Sequence, residues 1–241
     1  MIGITNVYFA TGLSAEKFTF SGSSLFAEEG KAWDAALLSS GVLTVRTSVL
    51  VDLALVAGGM PGLAGVSGKG GVGGAGGGIA LFPGVRLRHG VTYTVTIGGS
   101  GQNTVITGSD GTTYTAVSGA GAEGGQPSST RGVAPTAGGP GSLIWGGETL
   151  IQELSNIKFG PGGGAGGYRS SDWADYVGSS GGADGGGNGG GVPSTAAKDG
   201  AANRGSGGGG AWRNDAASSA GTPGLGGSGI VMFRPHKEVA A

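Results

Sequence analysis

Residues 160–229 carry four glycine runs: GPGGGAGGY at 160–168, SSGGADGGGNGGGVP at 179–193, RGSGGGGAW at 204–212 and AGTPGLGGSG at 220–229. Glycine occupies 26 of these 70 positions, too many for a helix or a hydrophobic core. Each glycine has no side chain to bury and costs roughly 0.5–1 kcal/mol relative to alanine on ordering. Two structures remain: a flexible linker, or bare backbones packed as three-residue-per-turn helices that satisfy one another's N–H and C=O groups.

Large aromatic residues lie between these runs, namely Tyr168, Trp173, Tyr176 and Trp212. Such residues are depleted in disordered segments, so their presence favours the ordered structure. An amphipathic ring can bind a partner or fill the rim of a glycine bundle. Both interpretations of the four rings stay open at this point.

The overall composition excludes several classes of protein. Glycine makes up 60 of the 241 residues without a Gly-X-Y period, which excludes collagen. A net charge of −1 supplies no positive field for nucleic-acid phosphates, and the absence of cysteine excludes disulfides and thiolate sites. We expect no secretory signal in MIGITNVYFATG and no membrane span, because no apolar run approaches the roughly 20 residues a span needs.

The pattern along the chain predicts two regions. Residues 1–41 are predicted to form an N-terminal arm or attachment region, and residues 42–241 a glycine-rich domain. In AEEGKAWDAALLSSG at 27–41, Trp33, Leu37 and Leu38 could share one face of a short helix ended by Gly41. The domain is predicted to consist of a β scaffold (42–57, 79–119 and 229–235) and glycine tracts (58–78, 120–147 and 160–229). Alternation from Val49 to Val56 gives the strongest strand prediction.

No catalytic, cofactor-binding or metal site is predicted. GKGGVG at 68–73 matches G-x-G-x-x-G, but the glycines after it cannot form the helix that dinucleotide binding requires. His89 and His236 are isolated in the sequence and are interpreted as exposed loop and terminal residues. Turn chemistry is favoured for Asp110 and for the Asp172 and Asp175 pair, with calcium binding left open.

Three motifs carry a resemblance to a known family: LVAGG at 55–59, YTVTIGG at 93–99 and GGSGIVMFR at 226–234. In this order, with glycine tracts between them, they resemble the glycine-rich-domain proteins of bacteriophage tail tips, minor tail proteins and fibre adhesins, over about residues 49–234. The resemblance implies a mainly β chain, with a β-sandwich or jelly-roll-like scaffold carrying glycine tracts packed as a polyglycine-II helix bundle. Asp52 departs from the usual apolar strand, and Met60, Pro61 and Leu63 interrupt the first tract.

The same resemblance implies a structural, non-enzymatic protein of the virion tail tip, assembled in the host cytoplasm and without a cofactor. Its expected partners are two further copies in a homotrimer, other tail-tip proteins, and a glycan or envelope component of the host surface. Tyr168, Trp173, Tyr176 and Trp212 are the predicted receptor contacts.

Two alternatives remain open. One is a tail component that never meets the receptor. The other is a glycine-rich structural protein of an actinobacterial cell surface, a class that also uses runs such as GGGAGG at 162–167 and GGGNGGG at 185–191.

Overall fold

The computed structural model describes residues 8–15, 17–29, 32–128, 134–170, 178–179, 181, 185–191 and 195–237. Within these residues, two short 3-10 turns occur, at Ile144–Gly147 and Gln152–Leu154. The strands are β1 Tyr8–Ala15, β2 Phe18–Glu29, β3 Ala32–Leu37, β4 Gly41–Val45, β5 Val49–Val56, β6 Ile79–Leu87, β7 Thr92–Thr96, β8 Thr104–Gly108, β9 Thr113–Ala116, β10 Ser142–Leu143, β11 Lys158–Phe159, β12 Tyr168–Arg169, β13 Arg213–Asn214, β14 Ser219–Ala220 and β15 Ile230–Pro235.

Ten of these strands form one antiparallel sheet in the order β6-β5-β15-β3-β2-β4-β7-β8-β9, with β1 paired to β2. The sheet curls until its edge strands, β6 and β9, approach each other and nearly close a barrel. Phe82 on β6 and Tyr114 on β9 bridge this gap with their rings edge to face, 5.2 Å apart. The mainly β prediction is confirmed, whereas a sandwich or jelly-roll is not.

The barrel sheet is buried on both faces along its middle strands. Its inner face forms the larger core, in which Phe18, Trp33 and Phe233 pack ring against ring. Its outer face is covered by the segment 144–159, which contributes Ile144, Ile151, Leu154 and Phe159 to a second core.

The helix predicted around Trp33 is wrong, because this segment is strand β3. Trp33, Ala35 and Leu37 alternate into the inner core, while Ala36 lies in the outer one. Burial between β2 and β15 outweighs the helix propensity of the alanines and leucines, which is a weak preference. Strands β3 and β2, which precede residue 41, thus pair with the scaffold strands β15 and β4 that follow it.

The strand predicted from Val49 to Val56 is confirmed as β5, and the terminal strand predicted at 230–233 is confirmed within β15. Asp52, which interrupts the apolar pattern, sits at a register shift between β5 and β6. There its Oδ1 accepts hydrogen bonds from the Gly84 N–H at 3.2 Å and lies 2.6 Å from His236 Nδ1. The carboxylate is therefore paired rather than left exposed in an apolar strand.

The first glycine tract leaves the barrel between β5 and β6 and the others between β9 and β15, and together they form a hydrogen-bonded bundle. In the first hairpin, residues 57–78, backbone bonds between the two arms recur every third residue: Ala57 N–H to Gly78, Met60 N–H to Ala75, Leu63 N–H to Val72 and Val66 N–H to Lys69 carbonyls. Met60, Leu63 and Val66 are exposed, while Gly59 and Gly62 lie against other backbones. These larger residues therefore do not interrupt the tract; they occupy its outward-facing third position.

Residues 205–213, here called the central tract, lie in the middle of the bundle. Backbone hydrogen bonds join the central tract to six neighbouring segments, within 57–66, 69–78, 160–168, 185–191, 195–201 and 221–229. Bonds to 160–168 again recur every third residue, since Gly207, Gly210 and Arg213 donate to the carbonyls of Pro161, Gly164 and Gly167. Residues 205–211 are all buried. Glycine is required at 207–210 because a Cβ at any of these positions would lie within 2.2 Å of a carbonyl oxygen of a neighbouring backbone.

Candidate functional site

The end of the bundle farthest from the barrel is called the bundle tip and consists of the turn 65–69 with strands β12, β13 and β14. At its centre the Asp215 carboxylate joins segments distant in sequence. Its Oδ2 accepts hydrogen bonds from the Gly68 N–H at 2.8 Å, the Ser67 hydroxyl at 3.2 Å and the Tyr168 hydroxyl at 3.0 Å. Arg213 Nε donates to Oδ1 at 2.6 Å.

These donors stabilise the ionised form of Asp215. The Gly68 N–H, followed by the Arg213 guanidinium, lowers the pKa of the carboxyl from 3.8 to about 2. Gly68 can present its N–H in this turn because it adopts a φ of 88°, in the left-handed region that favours glycine. The GKGGVG stretch that begins at Gly68 is thus the bundle's outer turn, followed by an extended glycine arm.

Tyr168, a predicted receptor contact, is 8% exposed and donates its hydroxyl hydrogen bond inside the bundle tip. Burial, followed by the hydrogen bond to Asp215, raises the pKa of its phenol above the ordinary value of 10. Most of its ring surface is therefore used for packing.

Trp212 is half-buried at the outer end of the central tract. A Cβ on Gly221 would lie 2.5 Å from the indole Nε1, and one on Gly190 would lie 3.1 Å from Cδ1. The indole thus rests on the bare backbones of two glycines, with part of its surface open to solvent. Trp173 and Tyr176 lie outside the described residues. Of the four predicted rings, the structure therefore describes Tyr168 and Trp212.

Asp215, Ser67 and Gly68 were not among the predicted site residues. Their bonds span about 147 positions, from Gly68 to Asp215, and no spacing rule links residues so far apart. The sequence signal that was available was Asp215 itself, an acidic residue two positions after Arg213. In the structure these two residues form an ion pair.

The structure shows the hydrogen-bond partners of His236, predicted as a terminal residue, and of Asp110, predicted as a turn residue. His236 is only partly exposed, with its Nδ1 2.6 Å from Asp52 Oδ1, so its interpretation as an exposed terminal residue is wrong. Asp110 forms the predicted turn, since its Oδ1 accepts hydrogen bonds from the N–H and the hydroxyl of Thr112 at 3.1 and 2.7 Å. Asp172 and Asp175 lie outside the described residues.

Within the described part of the chain, no three His, Asp or Glu residues are grouped to hold a metal ion. The same residues include no helix of the length and apolarity needed to cross a membrane. Comparison of the chain with protein-family models, curated proteins and solved structures found no match. The function is therefore argued from the geometry of the bundle and its tip.

Proposed function

We propose that this chain is a non-enzymatic structural protein of a bacteriophage tail tip, whose bundle tip faces the host surface. The observation that carries the proposal is the bundle itself, a lattice of glycine backbones anchored on the barrel, with its outer end formed by the bundle tip. From Gly78 to Lys69 the bundle extends about 28 Å at the 3.1 Å per residue of three-fold helices. A rigid projection of this kind suits a protein that reaches from a particle to a surface.

The recurrence of backbone bonds at every third residue supports polyglycine-II helices as the form of the tracts. Packed helices of this kind resist bending because each backbone is tied to several neighbours. The near-closed barrel serves as the base of the bundle. A scaffold arranged as a β-sandwich or jelly-roll would present the bundle in the same way.

Receptor contact would centre on Trp212, together with Trp173 and Tyr176. Val66 and Leu63, which are 52% and 57% exposed, add apolar surface on the outer half of the first hairpin. Binding would depend on ring stacking and backbone hydrogen bonds to a host glycan or envelope component, so it should change little with salt concentration.

One observation favours a second candidate, a tail component without receptor contact. Tyr168 is almost wholly buried, and the Trp212 indole packs on Gly190 and Gly221. Rings used in this way stabilise the bundle whether or not a receptor is present.

The deciding experiment measures adsorption of the purified full chain to isolated host envelope. The Trp173→Ala, Trp212→Ala double variant should bind several-fold more weakly, while Leu81→Ala, which changes an exposed residue on the barrel, should bind as the unmodified chain does. Thermal melting of both variants establishes that they are folded. Normal binding by the folded double variant would favour the purely structural candidate.

A further inference from the structure

A cavity of about 680 Å³ lies between strands β3 and β15 and the segment 144–157, on the barrel and away from the bundle tip. Its volume falls in the range of about 300–1,000 Å³ typical of small-molecule sites. Residues that line it include Trp33, Asp34, Thr149, Asn156, Arg234 and Lys237. None of these lining residues is a predicted receptor contact.

Arg234 is the residue in this cavity whose hydrogen bonding is incomplete. Its guanidinium carbon lies 4.4 Å from the centre of the Trp145 ring, which supports one face of the planar group. Its buried Nε–H has no hydrogen-bond partner among the described residues. The carboxylate of Asp52 is 3.8 Å from Nε, beyond hydrogen-bond distance, and its other oxygen is paired with His236. The guanidinium is thus held in place by Trp145 and Asp52, and because Nε is buried a ligand would reach the terminal nitrogens of the group.

Trp145, whose ring packs against Arg234, has a strained backbone conformation. Trp145 has φ 49° and ψ 35°, the left-handed region that a large non-glycine residue rarely adopts. The buried side chain of Ile144 anchors the segment to the outer core. Such outliers persist where the surrounding structure determines them, often beside binding sites.

The charged residues that line the cavity determine which other chemical groups a ligand must carry. Two acids, Asp34 and Glu148, are matched by two bases, Arg234 and Lys237. Asp34 is 6% exposed, and its Oδ2 accepts hydrogen bonds from the Thr149 hydroxyl at 2.8 Å and the Leu150 N–H at 2.6 Å. Because the formal charges cancel, the cavity does not select a simple anion. It favours a ligand with one acceptor group for the guanidinium and donors for the carboxylates.

We propose that this cavity binds a carboxylated sugar of one or two rings. The planar carboxylate would accept two parallel N–H bonds from Arg234, a geometry that matches the guanidinium fork. Sugar hydroxyls would donate to Asp34 and Glu148, and the C–H face of the ring would lie against the apolar Pro235. A free phosphate ion would fill only a small part of the volume. This inference is independent of the role proposed for the bundle tip.

The test is NMR titration of the full chain with glucuronate, with its neutral counterpart glucose, and with inorganic phosphate. Glucuronate should shift the indole N–H signal of Trp145, whose ring packs on Arg234, in a saturable way at millimolar concentration and leave that of Trp212 unchanged. Glucose and phosphate should bind at least about tenfold more weakly, since each lacks either the carboxylate or the ring hydroxyls.

The Arg234→Lys variant keeps the charge and removes the planar fork, so glucuronate binding should weaken at least about tenfold. Arg86→Lys, on the exposed side of β6, is the matched control and should bind as the unmodified chain does. The titration of the unmodified chain decides the matter even if Arg234→Lys does not fold. Equal binding of glucose or phosphate, a shift at Trp212 alone, no saturable shift, or unchanged binding by folded Arg234→Lys would each overturn the inference.

Discussion

Asp215 makes the stability of the bundle tip depend on pH. Its pKa of about 2 lies below the ordinary 3.8, because the Gly68 N–H and Arg213 stabilise the carboxylate. A carboxyl whose pKa is lowered by folding contributes its stability above about pH 4, and this contribution is lost as the pH falls towards 2. We expect the melting temperature to fall over that interval in the unmodified chain.

The Asp215→Asn variant serves as the comparison for this prediction. It should melt at a lower temperature than the unmodified chain at pH 6, and the difference should shrink by pH 2, as followed by circular dichroism. Parallel melting curves across the pH range would show that Asp215 does not provide the pH dependence.

Thr104 joins the barrel to the base of the bundle. Its fully buried hydroxyl donates to the Val56 carbonyl at 2.7 Å and accepts from the Gly98 N–H at 3.0 Å. Thr104→Val keeps the shape but leaves both backbone groups without this partner, at a cost of about 1–3 kcal/mol in the free energy of unfolding. Thr107→Val, at an exposed position on the same strand, should change it by no more than about 0.5 kcal/mol in urea unfolding. Equal effects of the two substitutions would contradict the role assigned to Thr104.

At the scale of elements, the central tract depends on the absence of side chains. A Cβ on Gly208 would lie 2.2 Å from the Gly224 carbonyl oxygen, closer than any real contact. The backbone at Gly224 is hydrogen-bonded to other segments, so it cannot move away to make room for the added methyl group. Gly208→Ala should therefore cost more than about 3 kcal/mol or prevent folding, beyond the usual range for overpacking.

Gly99→Ala is the control for this substitution. A Cβ at Gly99 would meet only the Gln102 side chain, at the ordinary distance of 3.4 Å. Its effect on unfolding by guanidinium should stay within about 1 kcal/mol. If Gly208→Ala is tolerated as well as Gly99→Ala, the tracts are not packed backbone against backbone in solution.

At the scale of the whole molecule, the trimer stays a prediction that solution mass can test. The exposed Leu225 supplies apolar surface on the bundle, apart from the residues proposed for receptor contact, as a subunit contact would require. Light scattering should give three times the 23.0 kDa chain mass at micromolar concentration. A monomer mass with undiminished thermal stability would contradict it.

Local pattern was enough to predict several elements. The alternation from Val49 to Val56 identified β5, because a half-buried strand repeats every two residues. Glycine density also predicted the bundle, because backbones without side chains can lie close enough to satisfy one another's N–H and C=O groups. The spacing of Met60, Leu63 and Val66 carried the register of the first hairpin, although Met60 and Leu63 were interpreted as interruptions.

Other features were decided only by the tertiary structure. Trp33 lies in a strand because the inner core accepts its ring, and the central tract has six neighbours drawn from segments across the chain. Gly68 with Asp215, and Arg234 with Trp145, meet across long sequence separations. Sequence by itself determined which segments extend and which lack side chains, since these are properties of neighbouring residues. Tertiary structure alone decided which segments meet, because packing and hydrogen-bond partners depend on distance in space.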